Sequence, residues 1–198
     1  MKTQRGIAAG ARAVGIVAFC MVGCLLVTLS LQAQDQSGEE KFSAMFAGQG
    51  ALAGRTTTID IYIQGYSNDQ EVQQLAQILR SNGQDSLVSA VDKLPERGRI
   101  AMTGTTGSAV QVVRQHPLEG GRKIVLFSNR PMAFGEVSQN TRSTDYPFGI
   151  VILNLNEKGE GDGLLYGACK VRFNKDNELE VEHYGQAPAR LMNVRLLK

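Results

Sequence analysis

The sequence predicts an α+β domain that is mainly antiparallel β-sheet, or a small eight-stranded barrel, with one inserted helical hairpin, preceded by an N-terminal hydrophobic export helix. Three observations lead to this prediction. Short runs of β-prone residues recur from residue 55 onward, one stretch has helical periodicity, and nineteen uncharged residues stand near the N-terminus. Short turns separate most of the β-prone runs, and such turns favour antiparallel pairing.

The first 33 residues have the organisation of an export signal. Three basic residues precede an uncharged apolar stretch over residues 13–31, and Ala33 is the small residue that a cleavage site needs. Nineteen residues at about 1.5 Å each also approach the roughly 30 Å of a bilayer core. The segment 1–33 is therefore either a cleaved signal peptide or an uncleaved signal anchor of the inner membrane. Both predict a periplasmic or extracellular domain.

The charge of the remaining chain argues against nucleic acid as a partner. The full sequence has 21 Lys and Arg residues against 19 Asp and Glu residues, and three of the basic residues lie in the export segment. The 18 that remain form no cluster of the kind that binds a phosphate backbone. We expect contact with a membrane through the N-terminal segment only.

Beyond the export segment, the sequence divides into a tether and one domain. Residues 34–54 are rich in Gln, Gly, Ala and Ser and predict a tether. Residues 55–198 predict a single β-rich globular domain. Cys169 is the one cysteine after residue 33, so this domain has no internal disulfide and depends on packing for its stability.

Residues 67–95 carry the helical pattern. Ser67, Asn68 or Asp69 can cap a first helix, which Gly83 ends. A second apolar stripe follows and stops at Pro95. We therefore expect a helical hairpin after the first strand. The predicted strands are 55–64, 99–103, 109–116, 124–127, 148–155, 165–173, 179–184 and 191–197.

No residue pattern indicates a catalytic centre. Cys169 alternates with Leu165 and other apolar residues, which predicts a buried thiol. His183 shares a face with Val181, and His116 stands at a turn, without the spacing of metal ligands. The sequence therefore predicts no catalytic residue, no metal site and no cofactor.

The longest irregular stretch, residues 131–146, suggests a ligand-binding rim. Arg130, Arg142, Asp145 and Tyr146 lie in or beside this stretch and are the candidate ligand-binding residues. The alternative is that Arg130 and Asp145 pair with each other and only fix the loop.

Three short motifs carry a resemblance to known sequences. They are Gly120-Gly121-Arg122, Ser128-Asn129-Arg130-Pro131 and Asp145-Tyr146-Pro147-Phe148. At these motifs the stretch 59–194 resembles a set of uncharacterised exported bacterial proteins of a kind seen in Acidobacteria. The resemblance implies export and a shared domain, and it implies no activity and no site residues.

These observations favour an exported, non-enzymatic envelope protein that binds a small apolar molecule or a protein partner. A hydrolase or isomerase is the first alternative, with carboxylates such as Asp60 and Asp145 brought together only by the fold. A membrane-tethered interaction module is the second alternative.

Overall fold

A computed structural model describes residues 38–49, 53–132, 145–175, 179–184 and 187–197. The predicted export segment and Arg142 lie outside the described residues. The described part contains one helix and ten strands. They are β1 (Glu40–Ala47), β2 (Thr56–Ile63), α1 (Asp69–Val91), β3 (Gly98–Met102), β4 (Ser108–Val110), β5 (Val112–Leu118), β6 (Gly121–Ser128), β7 (Phe148–Asn156), β8 (Glu160–Phe173), β9 (Leu179–His183) and β10 (Ala189–Leu197).

The strands form one antiparallel sheet that closes almost completely into a barrel. Its strand order is β4-β3-β2-β1-β10-β8-β7-β6-β5. The two end strands, β4 and β5, belong to one chain segment and are separated by Gln111 alone. This segment pairs with β3 through β4 and with β6 through β5, so eight strand positions surround the core. The prediction of a mainly antiparallel, barrel-like fold is confirmed.

Apolar side chains fill the interior of the barrel. Along β2, for example, Ile59, Ile61 and Ile63 point inward and are at most 1% exposed. The other large inward side chains with 0% exposure are Phe42, Ile100, Ile124, Leu126, Leu153 and Leu191. A barrel of eight strands is just wide enough for side chains to fill it. Its interior is therefore a packed core.

Strand β1 lies inside the range 34–54, for which the sequence predicted a tether. It pairs with β2 on one side and with β10 on the other, so it is a central strand. Its inward side chains are Phe42, Ala44 and Phe46. The expectation of irregular chain is wrong for residues 40–47. Glu, Lys and Ala have weak β propensity, but pairing on both edges and the burial of two phenylalanines outweigh it.

The helix α1 packs on the outside of the barrel. Gly83 interrupts it with φ 77° and ψ −172°, a conformation that favours glycine. The predicted break is therefore present and divides α1 into two helical parts, whereas their arrangement as a hairpin stays a prediction. Its buried residues Leu79, Leu87 and Val91 form a second core with side chains from β7 and β8. Within the described residues, no helix has the length and hydropathy needed to cross a membrane.

A bulge divides β8 between these two cores. Ile150 pairs with Tyr166 and Phe148 pairs with Cys169, so β8 contains one residue more than β7 in this interval. Leu165 therefore points into the barrel, whereas Cys169 points outward beneath α1. The predicted shared face of these two residues is wrong. The predicted burial is confirmed, because Cys169 is 0% exposed and burial raises its thiol pKa to about 12.

The close approach of β7 and β8 gives a test of the barrel. A Cβ atom at Gly161 would lie 1.9 Å from the carbonyl oxygen of Asn154, which the strand ladder holds in place. We expect Gly161→Ala to lower the free energy of unfolding by about 1–3 kcal/mol, as overpacking does. Urea denaturation would measure this loss.

Gly65→Ala is the matched control for that substitution. Nothing lies within 4 Å of a Cβ atom built at Gly65, so we expect a change within about 0.5 kcal/mol. Equal losses in both variants would contradict the close approach of β7 and β8.

Candidate functional site

The hairpin formed by β8 and β9 extends beyond the barrel wall. The last β8 residue paired with β7 is Cys169, and the last one paired with β10 is Leu165. From Cys169 to Phe173, β8 pairs with β9 instead. The outer part of this hairpin therefore has solvent on one face and α1 on the other.

Four side chains contact one another on the solvent face, in a cluster that we call the hairpin patch: Tyr146, Lys170, Glu182 and Tyr184. The Tyr146 hydroxyl donates to Glu182 Oε1 at 2.8 Å, and Lys170 Nζ lies 3.0 Å from the same oxygen. Lys170 Nζ also lies 5.0 Å from the centre of the Tyr146 ring. The Tyr184 ring meets the Tyr146 ring edge to face at 5.2 Å. These contacts fix Tyr146 in one orientation.

The electrostatics of the hairpin patch follow from these contacts. The hydrogen bond to Glu182 raises the pKa of Tyr146, and the same carboxylate raises the pKa of Lys170. Lys170 and Tyr146 together lower the pKa of Glu182. The tyrosine is therefore a neutral donor at neutral pH, between a carboxylate and an ammonium group.

A second ion pair extends the hairpin patch along the same face. Arg172 Nε lies 2.9 Å from Glu180 Oε2, one cross-strand position beyond Lys170 and Glu182. Leu179 is 55% exposed and Tyr184 is 64% exposed. Leu179 begins β9 and Tyr184 directly follows it, so one large exposed side chain stands at each end of this strand.

The outer edge of β9 has unpaired backbone groups. The Tyr184 N–H donates to the Ala168 carbonyl at 2.8 Å, so the even-numbered residues of β9 bond to β8. The backbone groups of Leu179, Val181 and His183 therefore point away from β8. No strand in the described part of the chain pairs with this edge. It is available to accept an additional strand.

The opposite edge of the hairpin is capped by α1. Gln84, directly after the break at Gly83, accepts a hydrogen bond from the Val171 N–H at 3.3 Å. Its side-chain nitrogen donates to the Asp145 carbonyl at 3.3 Å. This amide continues the backbone ladder beyond Phe148, the first residue of β7. The free edge of the hairpin is therefore on the β9 side.

The predicted ligand-binding residues do not appear as one described cluster. Arg130 is exposed, and its N–H donates to Ser128 Oγ at 3.2 Å. Arg130 and Asp145 form no ion pair with each other. Tyr146 belongs to the hairpin patch, and Arg142 lies outside the described residues. Their role in ligand binding stays a prediction.

Sequence reasoning missed the partners of Tyr146. Lys170 and Arg172 alternate with apolar residues in one run, and Glu180 and Glu182 alternate with apolar residues in the next. When one strand carries positive charges at every second residue and the next strand carries negative charges at every second residue, cross-strand ion pairs are indicated. This signal was available, and it would have identified the exposed face of the hairpin.

A partly buried polar cluster spans one mouth of the barrel. Arg122 on β6 donates to Glu40 Oε1 on β1 at 2.9 Å and to Gln115 Oε1 at 2.7 Å. The Tyr66 hydroxyl donates to Glu40 Oε2 at 2.7 Å. Burial is the main cause that raises the pKa of Tyr66, and the hydrogen bond to the Glu40 carboxylate is the second. Because β1 and β6 lie on opposite sides of the barrel, the ion pair crosses its mouth. These groups satisfy one another.

The carboxylates named for a hydrolase or isomerase lie on separate surfaces. Asp60 is on the outer face of β2, where Thr103 Oγ1 donates to it at 3.3 Å. Asp145 lies beside Gln84 and the outer part of β8. The strands β1 and β10 separate β2 from β8 in the sheet. These two carboxylates therefore do not form a shared site.

No protein-family model, curated protein or solved structure matches this chain. The resemblance to exported bacterial proteins stays a prediction. The structure gives one of its motifs a structural role, because Asn129 Nδ2 donates to Asp92 Oδ1 at 2.6 Å. This bond joins the C-terminal end of α1 to the end of β6.

We expect His183 to make the stability of the hairpin depend on pH. It lies opposite Cys169 in the ladder, its ring meets the Tyr166 ring edge to face at 5.8 Å, and burial lowers its pKa. The unfolded chain, with an ordinary pKa of about 6.5, therefore binds the proton more tightly than the folded chain. Stability is fully present above this value and falls as the pH drops through the lower pKa of the folded state.

We expect His183→Gln to weaken this pH dependence. The variant should lose less unfolding free energy than the wild-type chain when the pH is lowered from about 7.5 to about 5. Urea denaturation at several pH values would measure both slopes. His116→Gln, at an exposed position on another hairpin, is the control for replacing a histidine. An unchanged slope in His183→Gln would contradict the assignment.

Proposed function

We propose that this protein is an exported, non-enzymatic envelope protein that binds a protein partner by strand addition at β9. The observation that supports the proposal is the unpaired outer edge of β9, at the end of a hairpin that extends beyond the barrel. Extended peptide segments bind to such edges through main-chain hydrogen bonds, and side chains supply the specificity.

The packed barrel favours a protein partner over a small apolar molecule carried inside it. A carrier barrel needs an internal cavity, whereas large side chains occupy the inward positions of these strands. The polar cluster of Glu40, Tyr66, Gln115 and Arg122 also crosses one mouth. Binding at the outer surface displaces neither the side chains inside the barrel nor the polar cluster at its mouth.

The two faces of the hairpin define the chemistry of the bound segment. An added strand would place alternate side chains beside Glu180 and Glu182, whose side chains are each 44% exposed. The other side chains would lie beside Leu179 and Val181. A segment that alternates basic and apolar residues fits both faces, because opposite charges across a strand pair are favourable.

The hairpin is already ordered before any partner binds. Lys170 and Arg172 pair with Glu182 and Glu180 across its ladder, and Gln84 caps its other edge. A rigid strand loses little conformational entropy when it accepts a second strand. The arrangement therefore supports binding without rearrangement of the barrel.

Export places this surface where envelope partners are found. If residues 1–33 are cleaved, the domain acts in solution, and if they are retained, it acts beside the membrane. The second case is the membrane-tethered interaction module, and it uses the same edge of β9. The proposal for the binding site is independent of how the segment is processed.

Site-specific crosslinking in cells would identify the partner. A photoreactive residue at Leu179 should trap it, whereas the same residue at Leu118 should not. Leu118 is 43% exposed on another hairpin and is therefore a matched control. Equal trapping at both positions would contradict a specific β9 site.

Substitutions on β9 would then test the binding mode with the purified partner. Val181→Pro removes an N–H that points away from β8, so the β8–β9 ladder keeps its bonds. We expect an affinity about tenfold lower, the loss of about one hydrogen bond. Glu180→Lys should also weaken binding, through repulsion of the basic segment. Unchanged affinity in both variants would overturn strand addition at β9.

A further inference from the structure

Tyr184 is a large aromatic side chain that stands exposed beside the open edge of β9. It directly follows β9, and its N–H donates to the Ala168 carbonyl at 2.8 Å, so the ladder with β8 includes it. Its side chain lies on the same face of the strand as Glu182, two residues earlier. The side chain is 64% exposed. A strand added to β9 would therefore meet Tyr184 as well as Glu180 and Glu182.

The Tyr184 ring has an open face on the side of the free edge. It meets the Tyr146 ring edge to face at 5.2 Å, and such a contact uses no more than one face of either ring. Tyr146 approaches from the β8 side, because Lys170 of β8 has its Nζ 5.0 Å from the centre of the Tyr146 ring. The exposed side of Tyr184 therefore lies towards an added strand, where a cation can bind the ring face.

Glu182 supplies a carboxylate oxygen next to this ring. The Tyr146 hydroxyl and Lys170 Nζ both contact Oε1 of Glu182, at 2.8 and 3.0 Å. Oε2 takes part in neither contact. A guanidinium group is planar and carries N–H donors along its edge, so it can lie over a ring and still donate to a carboxylate beside that ring. The Tyr184 ring and Glu182 Oε2 together therefore favour arginine over lysine.

The backbone pattern of β9 brings an antiparallel strand closest at these positions. The even-numbered residues of β9 and Tyr184 bond to β8, so each would form a non-hydrogen-bonded pair with an added strand. In such pairs the Cα atoms lie only about 4.5 Å apart, and the side chains are closer than in hydrogen-bonded pairs. A residue opposite Tyr184 contacts its ring directly, and a long side chain there also reaches the diagonal neighbour Glu182.

On the basis of the proposed function, strand addition at β9, we propose that the bound strand runs antiparallel to β9 and carries an arginine opposite Tyr184. The guanidinium group lies over the Tyr184 ring and donates to Glu182 Oε2. The paired strands of the described sheet are antiparallel, and parallel pairs are slightly less stable per residue. Read from its N-terminus, the bound segment therefore places this arginine before the basic residues opposite Glu182 and Glu180.

The other end of β9 gives no such preference for arginine. Glu180 accepts from Arg172 Nε at 2.9 Å, and its nearest positions on this face, Arg172 across the ladder and Glu182 along the strand, carry no ring. Arginine and lysine should therefore be equivalent opposite Glu180, where a basic side chain finds a charge without an aromatic face. The difference between the two ends sets the direction of the bound strand.

Two isomeric peptides test the proposal by nuclear magnetic resonance titration of the full-length chain in mild detergent. The first is Arg-Val-Lys-Val-Lys-Val and the second is Lys-Val-Lys-Val-Arg-Val, both acetylated and amidated, so their composition and charge are equal. In the antiparallel direction the first places arginine opposite Tyr184, and the second places it opposite Glu180. We expect the first to bind about two- to fivefold more tightly, the effect of one exposed cation–π contact. Equal affinities, or tighter binding of the second peptide, would overturn the proposal.

Two variants of Tyr184 assign this difference to the ring. Tyr184→Leu should make the two peptides bind equally, whereas Tyr184→Phe, which keeps an aromatic face, should preserve the preference. Because the side chain is 64% exposed, both variants should keep the fold. A preference that persists in Tyr184→Leu would contradict the role of the ring.

The amide signals of the open edge separate the arginine position from strand addition itself. The N–H groups of Val181 and His183 point away from β8, so both peptides should shift their signals. Shifts with equal affinities would leave strand addition in place and refute the arginine opposite Tyr184. If neither peptide shifts these signals at about 10 mM, strand addition by such segments is refuted, and the arginine position with it.

Discussion

The structure depends on one chain segment, β4 and β5, which pairs with both ends of the sheet and so closes the barrel. Before Gln111 this segment pairs with β3, and after Gln111 it pairs with β6. The Gln111 N–H donates to the Phe127 carbonyl at 3.2 Å. On the other side, the Arg97 N–H donates to the Val110 carbonyl at 2.8 Å. Two potential sheet edges are thereby removed, since closure leaves few backbone groups unpaired. With so few strands, closure also fixes the radius, and the side chains fill the interior.

A filled barrel directs interactions to its outer surface, and two features decide which part of that surface stays open. The helix α1 covers one side, where Leu87 and Val91 pack against β7 and β8. The bulge in β8 turns Cys169 towards this helix, so the strand continues beyond the barrel as one half of a hairpin. Gln84 then caps one edge of the hairpin and leaves the other edge open. The break at Gly83 and the bulge in β8 therefore together leave one edge of the hairpin capped and the other open.

The elements that the sequence predicted are those whose signals are local. The alternation in β2, the break at Gly83 and the burial of Cys169 each follow from the residues next to them in the chain. The strand β1 was not predicted, because its residues have weak β propensity. Its stability comes from two partner strands and from the burial of Phe42 and Phe46. The bulge in β8 and the partners of Tyr146 depend on register, and a single sequence does not encode register locally.

An open strand edge must also avoid pairing with a second copy of itself, and the charges of β9 meet this requirement. Antiparallel self-pairing centred on Val181 would place Glu180 of one copy opposite Glu182 of the other, on both sides of the centre. Like charges directly opposite each other destabilise a strand pair, and charged residues on an edge discourage aggregation. In the proposed binding mode, the same carboxylates attract a basic segment. The two glutamates can therefore discriminate between partners as well as protect the edge, which favours a heterologous partner over a homodimer.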